Sequence, residues 1–163
     1  MTPRDIIFIV VILFGLGVGF FIIHYISQTA INKLVQIPAI KESNRSVEAL
    51  EGTQTNVVNH IDYVFLAVFI ALALGVIITG YFIRGYPVFM ILYFLILIIA
   101  AASSMLLSNV WDKFSTQPVF STTLASMPIT NLIISHLPVY IVVIGMLGTF
   151  AMFMNYSPGG RVE

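Results

Sequence analysis

The sequence predicts an all-α integral membrane protein whose chain crosses the bilayer four times. Three observations predict this class: of 163 residues 59% are hydrophobic, only 9% are charged, and four apolar stretches are each about 20 residues long. A soluble domain carries about 25% charged residues, so this chain could not cover a surface that faces water. Its mean hydropathy of +1.02 agrees with a lipid surrounding, where an apolar exterior carries no penalty.

Helix length sets the four predicted spans. A hydrocarbon core about 30 Å thick needs about 20 residues in a helix that rises about 1.5 Å per residue. Stretches of this kind occupy residues 6–26, 63–83, 87–107 and 132–154. The first is longer than the roughly 7–15 apolar residues of a signal peptide, so we expect it to remain as an anchor. We expect one membrane domain over residues 1–163.

Prolines and a short connection define the boundaries of the later spans. Pro87 suits the first turn of a helix, because its missing N–H is not needed there. Only Arg84-Gly85-Tyr86 separates the second span from the third, which predicts a tight antiparallel hairpin of adjacent helices. Pro138 lies inside the fourth predicted span and makes its start the least defined boundary.

The connection over residues 27–62 carries two amphipathic patterns. Ile31, Leu34 and Val35 share one face before Pro38, which predicts a short segment lying along the membrane interface. A second face follows at alternating three- and four-residue steps: Val47, Leu50, Gln54, Val57 and Ile61. It favours a helical stalk that extends the second span out of the membrane and packs on a partner. The alternative is a solvated loop with accidental periodicity.

The two remaining segments are polar. The connection over residues 108–131 is rich in serine and threonine and is interrupted by Pro118 and Pro128. Such residues mark turns and loops, so we expect an irregular or partly re-entrant surface segment. A short tail follows the fourth span over residues 155–163.

Orientation follows from lysine and arginine residues near the ends of the spans. Four crossings place Arg4, Arg84 and Arg161 on one side, against Lys33, Lys41, Arg45 and Lys113. Because the three arginines lie close to span ends, we expect both termini on the cytoplasmic side. We expect three residues to act as interface anchors: Arg84, Trp111 and Lys113.

Small residues recur at four-residue spacing in all four predicted spans. Such strips let another helix backbone approach closely, which is how helices associate where lipid removes the hydrophobic drive. The residues concerned are Gly15 and Gly19 in the first span, Ala67, Ala71, Gly75 and Thr79 in the second, Ala100, Ser104 and Ser108 along the third, and Gly145 and Thr149 in the fourth. They predict a packed bundle or an oligomer. The pattern leaves open whether the partner helices belong to this chain or to others.

The spans lack the residues that most membrane chemistry needs. Between Asp62 and Asp112, Arg84 is the only charged side chain, whereas transporters and proton relays place ionisable groups at depth. The sequence has no cysteine, no G-x-S-x-G, no H-E-x-x-H and no phosphate-binding glycine loop. We therefore expect no catalytic residue, no cofactor and no metal site. Seven basic residues balance seven acidic ones without a charged run, which argues against nucleic acid as a partner.

Three histidines are the remaining candidates for ligands or proton carriers. His24, His60 and His136 lie on separate segments, and none has a second histidine or carboxylate one helical turn away. A metal or haem site needs such groups to converge. We therefore expect these histidines to meet water or a backbone carbonyl at the interface.

These observations favour a non-enzymatic structural or assembly subunit of a larger membrane complex, such as a respiratory-type assembly or the membrane layer of a virus. Its partners would be the lipid bilayer and other membrane subunits, or further copies of itself, bound through helix packing. The alternative is a homo-oligomeric channel or holin-like pore lined by serine and threonine hydroxyls. An enzyme acting on lipid is disfavoured, because no acid, base and nucleophile converge in the sequence.

Overall fold

Helix accounts for nearly all of the chain that the structure describes. The structure is a computed structural model and describes residues 3–82 and 87–154. Within those ranges 94% of the residues are helical and none lies in a strand, which confirms the predicted all-α class. The elements are α1 (Pro3–Val35), α2 (Pro38–Lys41), α3 (Asn44–Phe82), α4 (Pro87–Ser115), a 3-10 turn (Pro118–Phe120), α5 (Ser121–Ser126), α6 (Pro128–Ser135) and α7 (Leu137–Met154).

Four of these helices are long and apolar enough to cross a membrane. The qualifying stretches are Ile7–Val35 of α1, Asn44–Phe82 of α3, Ile91–Ser115 of α4 and Leu137–Met154 of α7. Most of their apolar surface faces outward, since even in α7 only 33% of the stretch is buried inside the chain. Lipid is the solvent that accommodates such an exterior. The chain is therefore a multi-pass membrane protein, as the sequence predicts.

Both α1 and α3 are longer than the spans predicted within them. At about 1.5 Å per residue they reach about 50 Å and about 58 Å, against about 30 Å for the hydrocarbon core. Residues 27–35, expected as a separate interfacial segment, continue α1 because no proline or glycine interrupts the chain before Pro38. Residues 44–61 belong to α3. The predicted stalk is therefore a helix, and the alternative of a solvated loop is wrong.

The stalk keeps the amphipathic face that its sequence predicts. Val47, Leu50, Gln54 and Ile61 are half-buried, whereas most residues between them are exposed. The fifth member of this face, Val57, has a side chain outside those described. The short α2 packs against both α1 and α3, so part of this shielding comes from the chain's own connection.

Proline divides the fourth predicted span into two helices. It has no N–H to donate, and the residue before it avoids the helical conformation. The helix therefore ends at Ser135, and α7 begins with Leu137 and Pro138 after a break at His136.

The connection over residues 108–131 is more regular than its composition suggests. α4 continues to Ser115, and the 3-10 turn, α5 and the start of α6 fill most of the rest of the connection. Pro118 and Pro128 each begin a helical segment, where their missing N–H groups are not needed. The two prolines that indicate a loop in the sequence therefore start helices in the structure.

The four long helices form a ring in which α1 and α7 each pack against both α3 and α4. Paired contacts give the helix directions. Phe69 of α3 meets Tyr140 of α7 with ring centroids 5.4 Å apart, and Gly80 further along α3 meets Gly148 further along α7. α3 and α7 therefore run in the same direction.

α4 runs in the opposite direction and stands across the ring from α3. Leu97 contacts Gly145 of α7, and the earlier residue Tyr93 approaches the later Gly148. Within the described residues, α3 and α4 pack mainly on α1 and α7. The short connection between α3 and α4 instead predicts that these two helices are neighbours. The turn of that predicted hairpin, residues 83–86, lies outside the described residues.

Two short helices close one end of the ring. α6 packs on α1, α3 and α4, and α5 packs on α1; we name this region the capped end. Its core contains the largest fully buried side chains of the described residues, including Phe21, Phe65, Trp111, Met127 and Ile134. α1 meets the middle of α3 here, since the rings of Phe20 and Phe65 lie edge to face with centroids 6.4 Å apart. Polar residues from both helices are thereby brought together.

Candidate functional site

A carboxylate from α3 caps the N-terminus of α6. The first N–H groups of a helix have no partner within it, and α6 opens with Pro128 after Met127, which makes no side-chain cap. Asp62 supplies the acceptor. Its Oδ2 accepts the N–H of Ile129 at 3.0 Å, and its Oδ1 accepts both the N–H and the hydroxyl of Thr130 at 2.7 Å. The helix dipole favours a negative charge at this position as well.

Burial makes this cap important for stability. Asp62 is 4% exposed and Thr130 is fully buried. A buried carboxylate is costly unless donors satisfy it, and here three donors do. Loss of the carboxylate would leave both buried donors of Thr130 and the part-buried N–H of Ile129 without an acceptor, at about 1–3 kcal/mol for a buried unsatisfied group. Asp62 therefore fixes α6 to α3.

A second polar network joins α1 to α5. His24 Nε2 lies 2.9 Å from the Ser126 hydroxyl oxygen, and the Gln28 amide donates to the same oxygen at 3.2 Å. The Thr123 hydroxyl donates back to the Gln28 carbonyl oxygen at 3.1 Å. His24 and Gln28 lie four residues apart, so they share one helix face. This face of α1 therefore holds α5 through the side chains of Thr123 and Ser126.

Two further hydrogen bonds hold α4 against the segment that contains α6. The Trp111 indole N–H donates to the Asn131 side-chain oxygen at 2.9 Å. The Ser108 hydroxyl donates to the backbone carbonyl of Ser135, the last residue of α6. Both ends of α6 are therefore tied to a neighbouring long helix.

Aromatic rings surround these polar contacts on one side. Phe21 of α1 meets the rings of Trp111, Phe114 and Phe120 edge to face, each with centroids 5.4 Å apart. Edge-to-face pairs of this kind add about 0.5–1.5 kcal/mol beyond burial of area. The apolar packing and the polar bonds therefore act on the same elements.

The bonding of the capped end indicates a structural role for these polar groups. The carboxylate of Asp62 has three donors, and the hydroxyl of Ser126 donates to the backbone carbonyl of Thr123 at 2.8 Å. Among the described residues no three histidine, aspartate or glutamate side chains gather in a way that could hold a metal ion. One atom differs from the rest: His24 Nδ1 is buried and has no hydrogen-bond partner.

The predicted small-residue strips fall into two groups. Ala100, Ser104 and Ser108 of α4 are buried, and Gly145 of α7 lies beneath the Leu97 side chain. Thr149 is half-buried and donates to the Gly145 carbonyl at 2.9 Å. These strips belong to the interior of this bundle.

The other strips face outward. Ala67 and Ala71 of α3 are exposed, and Gly15, Gly19 and Gly75 have no atom within 4 Å of where a methyl group would stand. Thr79, at the end of the same strip of α3, is half-buried and donates to the Gly75 carbonyl. Gly15 is exposed, and Gly19 and Gly75 are half-buried with room for a methyl group.

Different glycines provide the close approach inside the bundle. A methyl group at Gly80 would lie 2.8 Å from the Gly148 carbonyl oxygen, and one at Gly148 would lie 2.7 Å from the Tyr93 hydroxyl. Gly17 faces Ile134 and Phe65. Four-residue spacing does not identify these positions, because which side of a helix faces inward depends on its neighbours.

The histidines and anchor residues have distinct environments. His60 and His136 are exposed, and each has Nδ1 beside the backbone carbonyl four residues earlier in the chain, at 2.7 and 3.1 Å. His24 is fully buried on a serine hydroxyl, so the expectation of water or a carbonyl is wrong for this residue. Lys113 is exposed, whereas Trp111 is 1% exposed and enclosed by protein. Arg84 lies outside the described residues.

Sequence reasoning did not identify the polar residues of the capped end as a cluster. Gln28, Thr123, Ser126 and Thr130 carry no motif, and Asp62 is read from sequence only as the boundary of a span. One signal was present: His24 and Gln28 share a face at the end of an apolar run. Comparison of the chain with protein-family models, curated proteins and solved structures gives no match to any of the three.

Proposed function

We propose that this chain is a non-enzymatic structural or assembly subunit of a larger membrane complex. It would cross the membrane four times, with α3 and α4 as successive antiparallel spans and both termini on the cytoplasmic side. The observation that carries this proposal is the outward strip of α3, formed by Ala67, Ala71 and Gly75. The bundle packs internally through other small residues. This strip is therefore available for contact with another chain.

A strip of small residues on an outer face suits a second transmembrane helix. Without bulky side chains, the two backbones approach closely and gain van der Waals contact, which is one of the forces that drive helix association in lipid. A methyl group added at Gly75 would meet no atom within 4 Å, so this part of the strip has room for a neighbouring helix. This geometry supports a partner helix lying along α3.

The capped end supports the proposal in a second way. A scaffold must hold its binding faces in fixed positions, and hydrogen bonds from three long helices tie α5 and α6 in place. The stalk of α3 extends from the same end. Its positions 48, 49, 51, 52 and 53 are exposed, which leaves a water-facing surface for a partner outside the membrane.

The test is to purify the full chain in mild detergent from the membrane in which it normally occurs and to identify the proteins that accompany it. We expect other membrane subunits in stoichiometric amounts. Gly75→Leu should reduce their recovery about tenfold, equivalent to about 1.4 kcal/mol of binding free energy. Ala102→Leu is the matched control, because Ala102 is exposed on α4 and lies outside the predicted strips.

Two outcomes would contradict the proposal. Equal recovery with Gly75→Leu and Ala102→Leu would show that the strip of α3 makes no contact. A ring made of this chain alone that conducts ions in liposomes would instead identify a homo-oligomeric pore.

A further inference from the structure

The hydrogen bonds around Ser126 determine which nitrogen of His24 carries its proton. A serine hydroxyl has one hydrogen to donate and two lone pairs that accept. The hydrogen of Ser126 is directed to the Thr123 carbonyl at 2.8 Å, and the Gln28 amide donates to its oxygen. The remaining lone pair accepts from His24 Nε2. The ring is therefore the Nε2–H tautomer, and Nδ1 holds a bare lone pair.

That lone pair has no donor and no water-exposed surface. His24 is 0% exposed, and Nδ1 is the one buried side-chain nitrogen or oxygen among the described residues that lacks a partner. The opposite tautomer would place an unpaired N–H at the same position. Buried N–H groups without a partner are rarer than under-satisfied acceptors, which again favours Nε2–H. A basic nitrogen with a free lone pair is thus enclosed at this site.

The charged groups around the ring come mainly from one helix. Asp62 of α3 is buried at the same end of the bundle, where solvent screens a charge less than it does at the surface. The charged side chains of α4 near this end, Asp112 and Lys113, are exposed, as are Lys41 of α2 and Glu42 after it. The segment from Pro118 to Ser135 contains no ionisable side chain. A proton taken up by His24 would therefore interact chiefly with Asp62.

We propose that His24 Nδ1 is a proton-binding site, and that proton uptake there releases α5 and α6 from the capped end. The protonated ring has a second N–H but no acceptor in place for it. If the ring turns towards Asp62, it competes with Thr130 and Ile129 for the carboxylate that caps α6. If it turns towards water, α5 must move away from α1.

Either movement loosens the same segment. Loss of the Asp62 contacts frees α6, and loss of the His24 contact frees α5. The buried side chains of Ile133 and Ile134 would then be accessible from the capped end. This inference is independent of the proposed assembly role, because it concerns a contact within one chain.

Hydrogen exchange on the full chain in lipid nanodiscs tests the proposal. After correction for the intrinsic effect of pH on exchange, the protection of residues 121–126 should fall about tenfold or more between about pH 7.5 and about pH 5. His24→Gln should abolish this response, because its amide can donate to Ser126 but cannot take up a proton. His136→Gln is the control, since that histidine is exposed, and it should respond like the unmodified chain.

A second measurement does not depend on the folding of any variant. Ring ¹⁵N chemical shifts of His24 in the unmodified chain should show the Nε2–H tautomer at neutral pH and the doubly protonated ring at the pH at which α5 opens. Protection that stays constant from about pH 7.5 to about pH 5 would overturn the proposal. So would an opening that occurs while His24 is still neutral, or one that persists in His24→Gln.

Discussion

The carboxylate of Asp62 and the hydroxyl of Thr130 lie 2.7 Å apart, although 68 positions separate them in the chain. This contact joins the middle of the longest helix to the first turn of one of the shortest. It also places the charge of Asp62 at a helix N-terminus that its own sequence leaves uncapped. The position of α6, and with it the capped end, therefore depends on one side chain of α3.

Asp62→Ala should lower the free energy of unfolding by about 1–3 kcal/mol, because it leaves the buried donors of Thr130 without an acceptor. Unfolding of the purified chain in mixed detergent micelles measures the change. Asp112→Ala is the matched control, since Asp112 is exposed on α4 and should change stability by less than about 0.5 kcal/mol. Equal effects of the two substitutions would show that the cap contributes nothing.

Gly80→Ala should also destabilise the bundle. The added methyl group would lie 2.8 Å from the Gly148 carbonyl oxygen, so α3 and α7 must move apart, at about 1–3 kcal/mol for overpacking. Gly15→Ala provides the comparison, because its methyl group would meet no atom within 4 Å and alanine is the better helix former. The same unfolding measurement applies, and a Gly80→Ala chain as stable as Gly15→Ala would refute the close approach.

Trp111 is the only tryptophan of the chain, so its fluorescence reports one environment. We expect emission at short wavelength and weak quenching both by aqueous iodide and by lipids brominated near the headgroup, because protein encloses the indole. Phe21→Ala removes a ring 5.4 Å away and should increase quenching. Strong quenching by brominated lipid in the unmodified chain would instead show an indole that faces the membrane interface.

The absence of cysteine from the sequence allows a clean test of the number of crossings. Single cysteines at Gly52 and Thr116, both exposed, should react with a membrane-impermeant maleimide from the same side. A cysteine at Arg84 or Ser157 should react only from the other side, which we propose is cytoplasmic. Labelling of positions 52 and 116 from opposite sides would contradict two crossings between them.

Much of the fold could be predicted from local properties of the sequence. The long apolar runs give the four membrane helices, and the alternating face of Val47, Leu50 and Gln54 gives the helical stalk. These predictions succeed because hydrophobic length and periodicity act within one segment. The sequence separates residues 27–35 from the first span for a related reason: polarity marks where a span leaves the lipid, but a helix continues until a residue such as Pro38 interrupts it.

The capped end could not be predicted in the same way. Asp62 and Thr130, or His24 and Ser126, become partners only when helices distant in sequence are brought together. The same limit applies to small residues, since the spacing of Gly15 and Gly19 resembles a packing strip while Gly17, between them, makes the contact.

The sequence by itself determined that this chain is helical and that four of its segments suit a membrane, because those properties follow from solvation and backbone hydrogen bonding within each helix. Only the tertiary structure decided which glycines pack, that α3 and α4 stand across the ring from each other, and that Asp62 caps α6. Those features depend on how each helix is rotated towards its neighbours, and no single segment carries that information.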